Sequence, residues 1–256
     1  MDTFKVVIGW FRPIFDAVFN LNLPFTLRWR LLALQPIALL TNTLLYLPEI
    51  TSSDYTVIRI PTRRDHFIRA IVFQPQSPRQ SEGLRPIHLD FHGGAFLGGN
   101  AEYDAPFCRL LTRRTRAVVI SAEYRLAPRY TFPCAHDDAE DVLEWAFENA
   151  REEFKTDPRL LALDFRSPPW AKPKPDKMPK IDLLAFMMPL FDAYAGPARA
   201  ESLHDPRLNP ILADLHSLPR NILLIVPAID ILASKQLEFI QRVKQIDERH
   251  GRKRDV

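Results

Sequence analysis

Cysteine is nearly missing from this chain, with Cys108 and Cys134 as the only two in 256 residues. Two cysteines so placed build neither a disulfide framework nor a zinc site, so both read as buried free thiols in a reducing compartment. A cytoplasmic location is the resulting expectation. A dominant charge is missing as well. Lys plus Arg number 34 against 31 for Asp plus Glu, a formal net charge of +3, which leaves no field that would select nucleic acid as a partner. The start, MDTFKVVIGWF, lacks the basic region and small-residue cleavage site of a secretory signal. Unbroken apolar length is missing too. The charge-free stretch 31–48 is interrupted by Gln35, Pro36, Thr41, Asn42 and Thr43, and Lys5, Arg12, Asp16, Arg28 and Arg30 lie among the apolar residues before it. Amphipathic helices packed on a domain, or resting on a membrane surface, fit residues 1–50 better than a span does.

Glycine is scarce, and half of its eight residues fall in one loop. HLDFHGGAFLGG (88–99) alternates like a strand as far as His92 and then opens into Gly93, Gly94, Gly98 and Gly99. Such a loop can bring bare backbone N–H groups up to an anion, because glycine places no side chain in the way and tolerates positive φ. Its other reading is a tight turn with no ligand.

From residue 55 the pattern turns from helical to alternating. YTVIRI and FIRAIVF, separated by PTRRDH, predict a β-hairpin; RPIHLDF predicts a strand, about 103–114 a helix, and AVVISAEY (117–124) a buried strand. HDDAEDVLEWAFENA predicts a helix with its acids in the first turns, where the macrodipole favours them. SPPWAKPKPDKMP (167–179) is an irregular connection, KIDLLAFMMPLF and NILLIVPAID are buried strands, LHDPRLNPILADLHSLP is loop with short helical turns, and SKQLEFIQRVKQ is an amphipathic helix before a charged, unpatterned end. Strand and helix alternate, so the fold class is α/β: a mostly parallel sheet with flanking helices, opened by an antiparallel hairpin.

In such sheets ligands bind at the carboxyl ends of strands, where both the glycine loop and Asp230 fall. Two chemistries could use that place. His88, Asp90 and His92 alternate along one strand face and are metal-ligand types, although a metal would need further ligands from elsewhere. Alternatively, the glycine N–H groups form an oxyanion hole, receiving the charge that develops on a carbonyl oxygen during acyl transfer.

The second chemistry gains from a resemblance. HGGAF (92–96) resembles the HGGG-type motif of the hormone-sensitive-lipase-like esterases, the branch of the α/β-hydrolases that includes the arylacetamide deacetylases. EYRLAPRYTFPCAHDDAEDVLEW is similar to that family's next conserved segment, with Tyr124, Arg125, Pro128, Phe132, Pro133, Asp138 and Trp145 in step and Arg129 where an acid is usual. DPRLNPILAD (205–214) and LLIVPAID continue the likeness in order. The resemblance implies that Gly93 and Gly94 offer the oxyanion amides after His92, that Asp230 is the triad acid, that no cofactor or metal is needed, and that a small carboxylic ester or acetyl amide enters under a cap formed by residues 1–50. It implies an α/β-hydrolase domain over 51–245, with 246–256 as a tail. Asp138 is expected to pair locally, with Arg125, and to take no catalytic part.

The expected nucleophile is missing. Acyl transfer of this type uses a serine on a strained strand-to-helix turn, G-x-S-x-G, where bulky neighbours two residues away would clash. No two glycines frame any of the nine serines: Ser121 stands between Val119 and Glu123, and Ser167 between Phe165 and Pro169. Where the family has a short strand followed by the serine turn, this chain reads TDPRLLALDFR. About ten residues, roughly a central strand and its turn, are expected to be missing near 159–162, unless RLLALDF serves as a substitute strand. The one histidine after Asp230 is His250, in DERHGRKR, which reads as a solvated tail residue rather than a catalytic base. Three functions stay open: an esterase, a non-catalytic ligand- or partner-binding module on a hydrolase fold, and a shortened form of an active esterase. The clean character of the loss favours the third. Oligomeric state is not legible.

Overall fold

The β-branched runs around the polar PTRRDH pair as expected. In the computed structural model, which describes residues 2–20, 23–75, 85–94, 96–154, 156–157, 189, 193–208, 212, 214 and 233–251, β1 (Thr56–Pro61) and β2 (Phe67–Phe73) form an antiparallel hairpin with Ile60 opposite Ile68. The Thr62 N–H donates to the His66 carbonyl at 3.0 Å to close the turn, and Asp65 adopts the left-handed region (φ 53°) that aspartate tolerates better than most residues.

The other described strands are β3 (Arg85–Phe91), β4 (Val118–Ala122) and β5 (Thr156–Asp157), in the sheet order β1-β2-β4-β3-β5. β2 and β4 run antiparallel, while β4–β3 and β3–β5 run parallel, with Leu89 opposite Ile120 and Arg85 opposite Thr156. Two antiparallel and two parallel pairings make the described sheet mixed, opened by the expected hairpin. Parallel neighbours need a crossover, and two helices supply it. α5 (Ala105–Thr115) connects β3 to β4, and α6 (Cys134–Phe154) connects β4 to β5.

Strand alternation sorts the side chains onto two faces. Ile60, Ile68, Ala70, Val72, Ile87, Val118, Ile120 and Ala122 form one core with Val142 and Ala146 of α6, and Trp145 packs against it. Ile71, Phe73 and Val119 face the other way, onto Ala101, Ala105 and Cys108. Each fully buried large aliphatic contributes about 1.5–3 kcal/mol, so both faces hold the sheet in place.

The N-terminal residues fold as α1 (Asp2–Gly9), α2 (Arg12–Phe19), α3 (Phe25–Thr41), a π-turn (Asn42–Tyr46) and α4 (Leu47–Ile50). Polar side chains tie these helices down. The Arg28 guanidinium donates to the Ala17 and Val18 carbonyls at the end of α2, the Gln35 amide to the Trp10 carbonyl at 2.8 Å, and Arg12 to the Ala127 carbonyl at 2.8 Å. Gln35, which interrupts the apolar run, and the arginines before it thus anchor these helices. Among the described residues no helix is long and apolar enough to cross a membrane.

The chain divides into two units, residues 1–159 and 160–256. In the second, the described parts are 193–208, with a short 3-10 turn at Gly196–Ala198, and α7 (Ala233–Arg249). α7 corrects one expectation: the charged end DERHGRKRDV is not unpatterned from its start, because the helix runs on through Asp247, Glu248 and Arg249. Val243 and Asp247, one turn apart, are both buried, so the amphipathic repeat outlasts the change to charged composition. Asp230, the connection 167–179, RLLALDF and, Pro189 apart, the two strands expected beyond it lie outside the described residues.

Candidate active site

The glycine loop leaves the carboxyl end of β3, and two hydrogen bonds decide where its amides point. The Tyr124 hydroxyl donates to the His92 carbonyl at 2.7 Å, and the His92 Nδ1–H donates to the Gly93 carbonyl at 2.8 Å. In a planar trans peptide the C=O and the following N–H point in opposite directions. Pinning the His92 carbonyl therefore turns the Gly93 N–H outward, and pinning the Gly93 carbonyl does the same for the Gly94 N–H. Both glycines are exposed, and neither N–H donates to any group among the described residues.

Gly94, Gly98, Gly99 and one aromatic shape the rest of the loop. Gly94 sits at φ +117°, and a Cβ there would meet the Gly98 carbonyl oxygen at 2.3 Å. Gly99 sits at φ +101°, with its would-be Cβ 2.2 Å from His92 Nδ1. The Gly94 carbonyl accepts from the Leu97 and Gly98 N–H groups. Phe96 is held at φ 62° while its carbonyl accepts the Ala127 N–H at 2.7 Å, which fastens the loop to the segment carrying Tyr124.

His92 is 3% exposed and its ring stacks on Tyr124 at 4.4 Å and 15°. Burial pushes its pKa below the ordinary histidine value, opposed by the Gly93 hydrogen bond and by Asp90 and Glu102. The ring is thus neutral, with its proton on Nδ1. Nε2 has no partner among the described residues.

The exit of the loop is fixed by charge. The Glu102 carboxylate, fully buried, accepts from both terminal nitrogens of Arg69 and from the Tyr55 hydroxyl at 3.1 Å. Arg69 also reaches Glu123 at 2.9 Å. The Ser121 hydroxyl lies 2.7 Å from the Asp90 carboxylate and 2.8 Å from the Ala101 carbonyl. Sequence reasoning missed Arg69, Tyr55, Glu102 and Tyr103; a Glu two residues after an Asn at the end of a glycine loop is too weak a signal to find them.

The metal alternative does not assemble. His88 packs edge-on against Phe107, Asp90 bonds Ser121, and His92 bonds Gly93; among the described residues no group of three or more His, Cys, Asp or Glu is placed to hold an ion. Asp138 takes the structural role expected of it. Fully buried, it accepts the Arg125 backbone N–H at 2.8 Å and the guanidinium at 3.0 Å, and it also receives His66 Nε2 at 3.1 Å. His250 is exposed at the end of α7.

Thr156 and Asp157 pair with Arg85 and Pro86, at the amino end of β3.

Residues 88–164 match the family described as alpha/beta hydrolase fold. The structure also superposes on EstE1, a thermophilic and thermostable carboxylesterase cloned from a metagenomic library, with a TM-score of 0.60 at 25% identity over 80% of this chain and 77% of that one. This is an α/β-hydrolase fold. The hydrolase segment is also 39% identical over 79 residues to a 3-O-acetylpapaveroxine carboxylesterase of Papaver somniferum, covering 29% of this chain and 25% of that protein. It is 34% identical over 100 residues to a gibberellin receptor of Arabidopsis thaliana, covering 38% of this chain and 28% of the receptor. The matched stretch spans only about a quarter of these curated relatives' lengths.

Proposed function

We propose that this chain keeps the carbonyl-recognising half of a carboxylesterase site and lacks its acyl-accepting half, so that it binds a small carboxylic ester or acetyl amide without turning it over. One observation carries the reading. The Gly93 and Gly94 N–H groups stand exposed and unpaired among the described residues, while no serine in the sequence has the small flanking residues that a nucleophile turn requires. Oxyanion donors alone stabilise charge that something else must generate. Asp230 is the acid of this site by resemblance, and residues 1–50 are its cap.

The experiment is hydrolysis of p-nitrophenyl acetate and butyrate, run beside a Gly93→Val, Gly94→Val control. The expected rate equals the control's, and a fluorophosphonate probe leaves the protein unlabelled. Turnover above the control, or a labelled serine, overturns the claim of inactivity. The transcript between the codons for Arg159 and Ala162 separates a shortened active esterase, which would show an in-frame G-x-S-x-G there, from a binding protein.

The likeness to a protein named as a receptor favours the binding reading. Its test is titration of ethyl acetate into protein labelled with 15N-glycine, where eight amide resonances report. Selective movement of Gly93 and Gly94 is expected. A cytoplasmic location belongs to the same proposal. So does contact with a membrane surface through residues 1–50, where Phe4, Phe15, Phe19 and Phe25 are more than half exposed; flotation with phospholipid vesicles reads that contact.

A further inference from the structure

The N-terminal helices reach the glycine loop through one aromatic contact that neither the resemblance nor the proposed chemistry uses. The helix path breaks into a π-turn at Asn42–Tyr46, closed by the Leu47 N–H donating to the Asn42 carbonyl five residues back. An α-helix advances about 100° per residue, so one extra residue in a turn swings the side chains that follow out of line. At the end of this turn stands Tyr46. Its ring stacks on Tyr103 at 4.3 Å and 25°. Tyr103 in turn lies 6.4 Å from the ring of His92, whose other neighbour is Tyr124 at 4.4 Å. Burial and the neighbouring Tyr103 phenol both raise the Tyr46 pKa.

We infer that Tyr46 is a positioning residue for the anion-receiving loop: through Tyr103 it sets the seat of the His92 ring, and through His92 the direction of the Gly94 N–H. The mechanical sense is direct. His92 Nδ1 holds the Gly93 carbonyl, and the Gly94 N–H is the other end of that peptide plane. A ring that tilts takes the amide with it. The N-terminal segment is then coupled to the loop as well as roofing it. The inference deepens the reading of Gly93 and Gly94 as oxyanion donors and rests on it.

The test uses the full chain labelled with 15N-glycine, without ligand. In Tyr46→Ala and in Tyr46→Leu, which keeps apolar volume without a ring face, the Gly93 and Gly94 amides move more than those of Gly196 and Gly251; Tyr46→Phe restores their positions. Two variants of different volume keep the test open where one fails to fold. Gly93 and Gly94 coinciding with wild type while the Tyr103 ring signals have moved overturns the coupling. The result stands apart from that of the ethyl acetate titration, which can fail in the wild-type protein while the coupling is still measured.

Discussion

Tyr124 and His92 hold each other twice, ring on ring at 4.4 Å and hydroxyl to backbone carbonyl at 2.7 Å. The stack seats the imidazole, and the hydrogen bond turns the peptide that carries the Gly93 N–H. Tyr124→Phe separates the two effects, since it keeps the ring and strands a buried carbonyl. The expected loss is about 1–2 kcal/mol in urea unfolding, with a selective shift of the Gly93 amide. An unmoved Gly93 resonance would mean that the bond does not orient the loop.

The glycines of the loop differ in what they tolerate. Gly94→Ala puts a Cβ against the Gly98 carbonyl at positive φ, and the strain and displacement together cost about 2 kcal/mol or more. At Gly93 a Cβ meets nothing within 4 Å. Gly93→Ala should unfold within about 1 kcal/mol of wild type. Equal destabilisation of both variants in chemical denaturation contradicts this account.

Acid weakens the fold through its histidines. Burial lowers the pKa of His92, and also that of half-buried His88, where Asp90 opposes the shift. The unfolded chain therefore binds protons that the folded chain refuses. Stability is complete above about pH 6.5, the unfolded histidine value, and falls as the pH drops through the depressed folded values, by at most about 1.4 kcal/mol per pH unit for each histidine. Urea midpoints between pH 7.5 and 5 should show this slope, and His92→Gln should reduce it. A slope unchanged by that substitution assigns the effect elsewhere.

Arg69 and Glu102 form a buried pair whose value lies in being complete. Arg69→Met leaves the fully buried Glu102 carboxylate with Tyr55 and no cation, and a cost of about 3–5 kcal/mol is expected. Adding Glu102→Leu should recover most of the loss, since replacing both partners removes the uncompensated charge. A double variant as unstable as the single one would show that the pair stabilises by more than mutual neutralisation.

Much of the first unit was legible because its signals are local. The hairpin, β3, α5, β4 and α6 follow from alternation and from helical spacing, and a strand buried on both faces, such as Val118–Ala122, shows as an apolar run broken only by Ser121. The pairing of Asp138 with Arg125 was also readable, over thirteen residues. That His66, seventy-two residues away, shares the same carboxylate was not. Nor did spacing show that His88, Asp90 and His92 would each take a separate partner, because a shared strand face does not make side chains converge. Composition misjudged the end of α7: charged residues can continue a helix wherever one face stays covered.

By itself the sequence determined the order of the described strands and helices from β1 to α6, the place of the glycine loop at the end of β3 and the absence of a framed serine, since each is written in neighbouring residues. Only the tertiary structure decided which way the Gly93 and Gly94 amides face, which cation neutralises Glu102 and which aromatic backs His92. Those outcomes depend on residues brought together from distant parts of the chain, where packing and hydrogen-bond geometry select partners that no local period records.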